Sequence, residues 1–184
     1  MDASSHPTFD LTPLERAIRD VPDFPKPGIL FKDIMPLLAD PACFKLAIDS
    51  FAAICRDLPG GPPTKIVGID ARGFLFGAAV AYAMGLGVIP VRKKGKLPGP
   101  TEFHAYTLEY GEAVVEMQAD ALAPGDKVVL IDDLLATGGT AAAALELIKK
   151  LGGEPLAVLF LIELEFLGGR SRMGTTPATA LLKY

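Results

Sequence analysis

The sequence predicts an α/β fold in which a mostly parallel, twisted sheet is flanked by helices. Apolar runs typical of buried strands, at Lys65–Asp70, Val88–Arg92 and Lys127–Asp132, alternate along the chain with segments of helical periodicity. Parallel strands are buried on both faces, which explains why they are continuous apolar runs. A length of 184 residues suits one core, so we expect a single domain over residues 1–184.

The remaining elements follow from local patterns. Thr12-Pro13-Leu14-Glu15 predicts a short helix opened by a capping box. The proline-rich stretch 20–36 predicts an irregular extended segment, and 94–106, rich in glycine and proline, predicts a mobile loop. Helices are expected at 41–57, 73–84 and 138–152, and further strands at 113–117, 156–162 and 180–182.

Composition and charge narrow the range of partners. The formal net charge of −4 gives no reason to expect nucleic acid or an anionic membrane as a partner. Cys43 and Cys55 are predicted to be reduced thiols, and no signal peptide or membrane span is evident, so a cytoplasmic protein is expected. Four cations nevertheless lie within five residues, which suits a small polyanionic ligand: Arg92, Lys93, Lys94 and Lys96.

An acidic pair followed by small residues is the strongest chemical signal. Asp132 and Asp133 end an apolar strand, and Ala136-Thr137-Gly138-Gly139-Thr140 leads into a helix. Adjacent carboxylates are costly unless hydrogen-bond donors satisfy them, and vicinal ribose hydroxyls would do so. The backbone N–H groups of a small-residue segment at a helix N-terminus can bind a phosphate, with the Thr137 and Thr140 hydroxyls as further donors. The segment therefore predicts a site for a phosphorylated ribose.

A helix cap, a P-loop and a dinucleotide-binding turn each fit this segment less well. A helix cap needs one aspartate and no glycine pair. A P-loop requires Ser or Thr after Gly-Lys, whereas Leu97 follows Gly95-Lys96, and the GxGxxG fingerprint of dinucleotide-binding folds does not follow a strand here.

The segment Val128–Thr140 resembles the phosphoribosyl-pyrophosphate (PRPP) motif of the type I phosphoribosyltransferases. The resemblance runs from about residue 18 to Tyr184. Four further segments resemble the adenine phosphoribosyltransferases of that family: Phe24–Ile34, Gly73–Gly77, Arg92–Gly99 and Leu108–Gly111. The resemblance implies the type I phosphoribosyltransferase fold, with an N-terminal arm and hood over about 1–36 and a mobile catalytic loop over about 94–106.

The same resemblance implies a reaction: adenine and PRPP give AMP and pyrophosphate in purine salvage. It implies Mg²⁺ bound mainly through PRPP, with no protein residue expected as a metal ligand, and a homodimer. Glu109 is implied as the residue that handles a proton on the base. Tyr106 is implied as an anchor of the loop, which would exclude water when it closes.

Ligand contacts are implied by matching positions. Phe31 and Leu134 would stack on the two faces of adenine, Asp132 and Asp133 would bind the ribose hydroxyls, and Ala136–Thr140 the 5′-phosphate. A non-proline cis peptide bond is implied at Ala71–Arg72, where many family members have serine in place of Ala71. The residues implied to contact pyrophosphate are Ala71, Arg72, Arg92, Lys93 and Lys96.

Two other functions stay open. A regulator could keep the fold and sense PRPP or a purine without catalysis, although no basic DNA-binding arm is evident. A related enzyme could also use another purine or pyrimidine, because the choice of base depends on pocket geometry.

Overall fold

The computed structural model describes residues 9–108 and 111–184, and its N-terminal part forms a small hairpin layer. Helix α1 (Thr12–Ala17) precedes β1 (Arg19–Pro22) and β2 (Leu30–Asp33), which pair antiparallel, and the short helix α2 (Met35–Ala39) follows. The expected irregular segment over 20–36 is therefore wrong in part. The cross-strand ion pair between Lys32 Nζ and Asp20 Oδ1, at 2.7 Å, supports the pairing that the proline content obscured.

The capping box predicted at the start of α1 is also wrong. Thr12 is the first helical residue, and its N–H donates to Asp10 Oδ1 at 3.0 Å. The proline at the second helical position is tolerated because the N–H groups of a first turn have no intrahelical partner.

A seven-stranded sheet forms the centre of the molecule, in the order β5-β6-β4-β3-β7-β8-β9. The strands β4, β3, β7, β8 and β9 run parallel, and β6 and β5 add an antiparallel hairpin at one edge. This confirms the prediction of a mostly parallel sheet. The strand bounds are β3 (Lys65–Ile69), β4 (Gly87–Lys93), β5 (Thr101–Leu108), β6 (Gly111–Gln118), β7 (Lys127–Leu135), β8 (Glu154–Glu163) and β9 (Ala178–Lys183).

Helices cover both faces of this sheet, as predicted. Alternate residues of β7 point to opposite faces, so Val129 and Ile131 join one buried cluster, with α3 (Pro41–Arg56) and α4 (Gly73–Met84). Val128 and Leu130 join the other cluster, with α5 (Gly139–Lys150). Burial on both faces is the reason why β7 is an unbroken apolar run.

The loop expected over 94–106 ends earlier than predicted. Thr101–Leu108 forms strand β5, which pairs with β6 from Thr101↔Gln118 to Leu108↔Gly111. Exposed and half-buried residues alternate from Phe103 to Tyr106, with no run of apolar residues. The irregular connection between β4 and β5 is consequently short, spanning 94–100.

Two short 3-10 helices, Glu165–Leu167 and Gly169–Met173, connect β8 to β9. Among the helices of the described residues, none combines the length and the apolar character needed to cross a membrane.

Candidate active site

The carboxyl ends of three neighbouring parallel strands meet at one edge of the sheet. Asp70 follows β3, Arg92 lies near the end of β4, and Asp132 and Asp133 lie near the end of β7. Ligands of open parallel sheets bind outside this edge, so the predicted ribose and pyrophosphate residues lie where such a site is expected.

The acidic pair lies inside β7, because the strand continues to Leu135 where the sequence predicted an end at Asp132. Pairing of β7 with β8 through Leu135↔Glu163 extends it. Asp133 is buried, and its Oδ2 lies 2.7 Å from Arg72 Nε. Asp132 is half-buried, and its Oδ1 accepts the N–H of Asp133 at 2.9 Å.

Both carboxyl groups are held in a setting that disfavours their charge. Burial raises the pKa of Asp133, although the Arg72 guanidinium acts in the opposite direction. Enclosure of the Asp132 carboxyl, together with the charge of Asp133, raises the pKa of Asp132 well above its ordinary value. Such a pair gains from hydrogen-bond donors that arrive with a ligand.

Close packing of α4 on this edge brings Arg72 to the pair. A Cβ atom added at Gly73 would lie 2.8 Å from Asp132 Oδ1 and 2.8 Å from the Ile131 carbonyl oxygen. Glycine is therefore required at the first residue of α4, and the residue before it, Arg72, can reach Asp133.

The non-proline cis peptide bond joins Asp70 to Ala71, so the position implied at Ala71–Arg72 is wrong by one residue. Arg72 already has helical angles, with φ −77° and ψ −26°, as the residue preceding α4.

The segment predicted to bind phosphate, Ala136–Thr140, enters α5 through a left-handed residue. Gly138 has φ +79°, and a Cβ there would lie 2.4 Å from the carbonyl oxygen of Gly169. In the described residues no side chain caps α5. Its first N–H groups therefore remain available to an anion.

Gly169 is a residue of this site that the sequence reasoning missed. A Cβ added to it would lie 2.1 Å from the Ala136 carbonyl oxygen and 2.9 Å from the Gly138 nitrogen. The 3-10 helix Gly169–Met173 thus backs the phosphate segment by direct backbone contact. A glycine 29 residues beyond Thr140 carries no local signal of this contact.

Strand β5 reaches the same segment through Tyr106. The Tyr106 hydroxyl and Thr140 Oγ1 are 2.8 Å apart, and a Cβ added at Gly139 would lie 3.1 Å from the Tyr106 ring. The implied anchoring residue therefore contacts the phosphate segment directly. A hydroxyl donates one hydrogen bond and accepts two, so Thr140 can bond Tyr106 and a ligand together.

The four cations of 92–96, called the basic turn below, differ in their contacts. Arg92 Nε donates to Asp70 Oδ2 at 3.0 Å, an interaction the sequence reasoning missed although Asp70 ends a neighbouring strand. Lys94, for which no ligand was predicted, lies with its Nζ 4.7 Å from the Phe103 ring centroid. Lys93 and Lys96 are exposed, and neither forms an ion pair with the described residues. Both remain available to an anionic ligand.

Phe31 and Leu134, the two residues implied to stack on adenine, line one apolar cavity of about 140 Å³. Arg72 and Asp133 line it as well, so the cavity adjoins the acidic pair. Phe31 also packs edge-on against Phe24, with ring centroids 5.1 Å apart. The structure thus brings an aromatic and an aliphatic wall together beside the predicted ribose site.

Glu109 lies outside the described residues, so its predicted role as a proton carrier stays a prediction. Within 9–108 and 111–184, no group of three or more His, Cys, Asp or Glu side chains is arranged to hold a metal ion.

Known proteins match this chain along most of its length. The model of the phosphoribosyl transferase domain family matches residues 37–165. An adenine phosphoribosyltransferase of Acidothermus cellulolyticus is 53% identical over 178 residues, which are 96% of this chain and 99% of the relative.

Solved structures agree in fold. The crystal structure of adenine phosphoribosyltransferase from Thermoanaerobacter pseudethanolicus has a TM-score of 0.90 at 44% identity, covering 95% of this chain and 99% of that one. The Saccharomyces cerevisiae enzyme, complexed with adenine and D-2,5-dideoxy-2,5-imino-altritol 1,6-bisphosphate, has a TM-score of 0.89 at 42% identity, covering 93% and 97%.

Proposed function

The chain belongs to the adenine phosphoribosyltransferase family, and we propose that it transfers the 5-phosphoribosyl group of PRPP to adenine, giving AMP and pyrophosphate in purine salvage. The observation that carries the proposal is the juxtaposition of the acidic pair, Asp132 and Asp133, with the segment Ala136–Thr140 and the apolar cavity. Ribose, phosphate and base would each meet groups of suitable chemistry along one continuous surface.

The sugar phosphate would bind along β7 and the start of α5. Asp132 and Asp133 accept hydrogen bonds from the ribose hydroxyls, which relieves the cost of the enclosed carboxylates. The N–H groups and hydroxyls of Ala136–Thr140 bind the 5′-phosphate.

The pyrophosphate would meet the cations of two neighbouring strand ends. Arg72 and the backbone of Ala71 lie after β3, and Lys93 and Lys96 extend from β4 and the turn beyond it. Arg92, fixed by Asp70, adds a guanidinium to this side. Charge that develops on the departing pyrophosphate is stabilised by these prearranged cations.

Adenine would enter the cavity between Phe31 and Leu134. An aromatic ring on one side and an aliphatic side chain on the other suit the two flat faces of the base. Glu109 would exchange a proton with the imidazole edge of the base as the new bond forms, contributing about 10²–10⁴-fold to the rate.

Mg²⁺ would arrive bound to PRPP. Mg²⁺ in phosphate-transfer sites is held by few protein carboxylates and by substrate phosphates and water. Here Asp133 is already paired with Arg72, which leaves the acidic pair suited to hydroxyl donors more than to a full set of metal ligands.

The working unit would be a homodimer in the cytoplasm. Helix α4 contains no charged residue and yet exposes Leu75 by 46% and Tyr82 by 90%. An apolar helix face of this kind is typical of one that packs against a partner. Cys43 and Cys55 are free and buried, which suits a reducing compartment.

One assay tests the reaction and its alternatives. The protein is mixed with Mg²⁺, PRPP and each nucleobase in turn, and nucleotide and pyrophosphate are quantified. We expect AMP from adenine. Nucleotide from another base alone would favour a related enzyme, and PRPP binding without turnover would favour a regulator.

A variant tests the role of Glu109 separately. Glu109→Ala should lower kcat by about 10²-fold or more, with a smaller effect on PRPP affinity, because a proton carrier acts in the transition state. An equal loss of PRPP affinity and turnover would remove this role.

A further inference from the structure

Glu116 is a buried carboxylate near the C-terminal end of β6, beneath the basic turn. The residue is 3% exposed, and its backbone lies opposite Arg92 of β4 and Phe103 of β5. Its Oε1 accepts the N–H groups of Lys96 at 2.8 Å and Leu97 at 2.9 Å. Its Oε2 lies 3.3 Å from the Thr101 hydroxyl, which donates to it.

These bonds keep the carboxylate ionised in spite of its burial. Burial acts to raise the pKa of Glu116, but the N–H groups of Leu97, Gly95 and Lys96 and the Thr101 hydroxyl outweigh it, and the pKa lies below its ordinary value. Gly95 has φ +81°, which helps successive N–H groups of the turn converge on one anion.

Lys96 is held from its other side as well. Its carbonyl oxygen accepts a hydrogen bond from Arg92 Nη1 at 3.0 Å, while Arg92 Nε donates to Asp70. Both backbone polar groups of Lys96 are therefore fixed, one by Glu116 and one by Arg92. Its exposed ammonium group remains free to meet an anion.

This network joins the two cationic segments of the site. Asp70 directly precedes Ala71 and Arg72. Hydrogen bonds between Arg92 and Asp70, between Arg92 and Lys96 and between Lys96 and Glu116 therefore connect the segment after β3 with the turn after β4. Stability alone does not account for a charge buried at this position, because replacing buried charges by apolar residues is often neutral or stabilising.

We infer that Glu116 is a positioning residue for pyrophosphate: its carboxylate fixes the turn 94–97 so that the ammonium group of Lys96 faces the pyrophosphate half of PRPP. This inference rests on the proposed function. Glu116 itself would not touch the substrate, since its oxygens already bind the backbone of the turn.

The test compares Glu116→Gln with wild type in steady-state assays, and with pyrophosphate and AMP as product inhibitors. The amide oxygen can still accept the N–H groups of Lys96 and Leu97, but without the negative charge these bonds weaken and the turn is held less firmly. We expect KM for PRPP and the inhibition constant for pyrophosphate to rise on the order of tenfold. Adenine KM and the AMP inhibition constant should change by less than about twofold, which general damage to the fold would not produce.

Two matched variants complete the test. Glu102→Gln removes a carboxylate of the neighbouring strand that pairs with Lys150 on the surface, and it should leave all four constants unchanged. Thr101→Val removes one donor to Glu116 and should give a smaller shift in the same two constants. Glu116→Asp keeps the charge and should recover part of the loss.

The outcomes separate the two claims. Absence of AMP formation by the wild type would overturn the proposed function. With an active wild type, unchanged pyrophosphate inhibition in Glu116→Gln overturns the inference, as does an equal loss for pyrophosphate and AMP. If Glu116→Gln does not fold, unchanged pyrophosphate inhibition in both Thr101→Val and Glu116→Asp overturns the inference instead.

Discussion

At the residue scale, Asp132 opposes the stability of the fold that carries it. Its pKa is raised by burial and by Asp133, so the folded state binds a proton there more tightly than the unfolded chain does. The stability from this group is present below the unfolded pKa, about 3.9, and is lost as the pH rises through the folded value. At neutral pH the ionised group is therefore a cost, which a ligand would offset.

Asp132→Asn should separate stability from binding. The amide oxygen can still accept the N–H of Asp133, but the charge of Asp132 is no longer enclosed. The free energy of unfolding at pH 7 should rise by on the order of 1 kcal/mol, and the gain should shrink towards pH 4. KM for PRPP should rise about tenfold, because hydrogen bonds to a charged acceptor are lost.

Denaturant titrations at both pH values, together with initial rates, measure these effects. Asp120→Asn, in an exposed turn, is the control and should alter neither quantity. A variant less stable than wild type at pH 7 would show that the charge of Asp132 is already compensated in the free protein.

The contact between Tyr106 and Thr140 also belongs to this scale. Tyr106→Phe removes only a hydroxyl, while the ring keeps its position beside Gly139. Loss of one neutral hydrogen bond costs about 0.5–1.5 kcal/mol, so KM for PRPP should rise two- to tenfold. Thr140→Val should have at least as large an effect, and the double variant should equal Thr140→Val alone. Additive effects of the two changes would mean that the hydroxyls act independently.

At the scale of elements, the parallel core could be predicted because burial on both faces leaves a pattern in the chain itself. Strands β3 and β4 and helix α4 agree with their predicted positions for this reason, and β7 begins where predicted but runs three residues further, to Leu135. Strand β5 could not be predicted in the same way, since its positions 101–106 are all exposed or half-buried and it follows a run of glycine and proline. Alternation with a period of two was the available signal of a strand here, but it was hard to recognise without a run of apolar residues.

The residues of the site also differ in whether a local pattern in the chain reveals them. Asp132, Asp133 and Ala136–Thr140 are close together in the chain and were predictable as a group. The bonds of Glu116 to Lys96 and the contact of Gly169 with Gly138 join residues 20 and 31 positions apart. Contacts of this kind depend on tertiary packing, which no spacing in the sequence reveals.

The 3-10 helix behind the phosphate segment allows a test with adjacent glycines. Gly169→Ala places a methyl group 2.1 Å from the Ala136 carbonyl oxygen, so one of the two backbones must move. We expect a loss of about 1–3 kcal/mol of stability and a marked rise in KM for PRPP. The pair between Arg170 Nε and Glu163 Oε1, at 2.9 Å, holds the helix and limits its retreat.

Gly168→Ala is the matched control. Gly168 has φ +63° but no atom within 4 Å of an added Cβ, so only the backbone conformation opposes the change. It should cost about 1 kcal/mol, with little change in KM for PRPP. Thermal unfolding and initial rates distinguish the two variants, and equal KM values would remove Gly169 from the phosphate site.

At the scale of the whole molecule, the exposed face of α4 is the surface on which we expect a second copy of the chain to pack. Its side chains Leu75 and Tyr82 lie seven residues apart on one stripe, and its first residue, Gly73, packs against Asp132. A partner packed on this stripe would also brace Arg72, which precedes the helix and binds Asp133. Dimer formation and PRPP affinity should therefore fall together.

The variant Leu75→Glu/Tyr82→Glu tests that coupling. Burying two carboxylates at an apolar contact costs several kcal/mol unless they are paired, so in sedimentation velocity we expect a monomer for the variant and a dimer for the wild type. KM for PRPP should rise in the monomer more than KM for adenine. Phe166→Glu alters a side chain that is 77% exposed on a different surface, and this variant should remain dimeric. A double variant that stays dimeric would move the interface away from α4, and a fully active monomer would show that Arg72 needs no support from a partner.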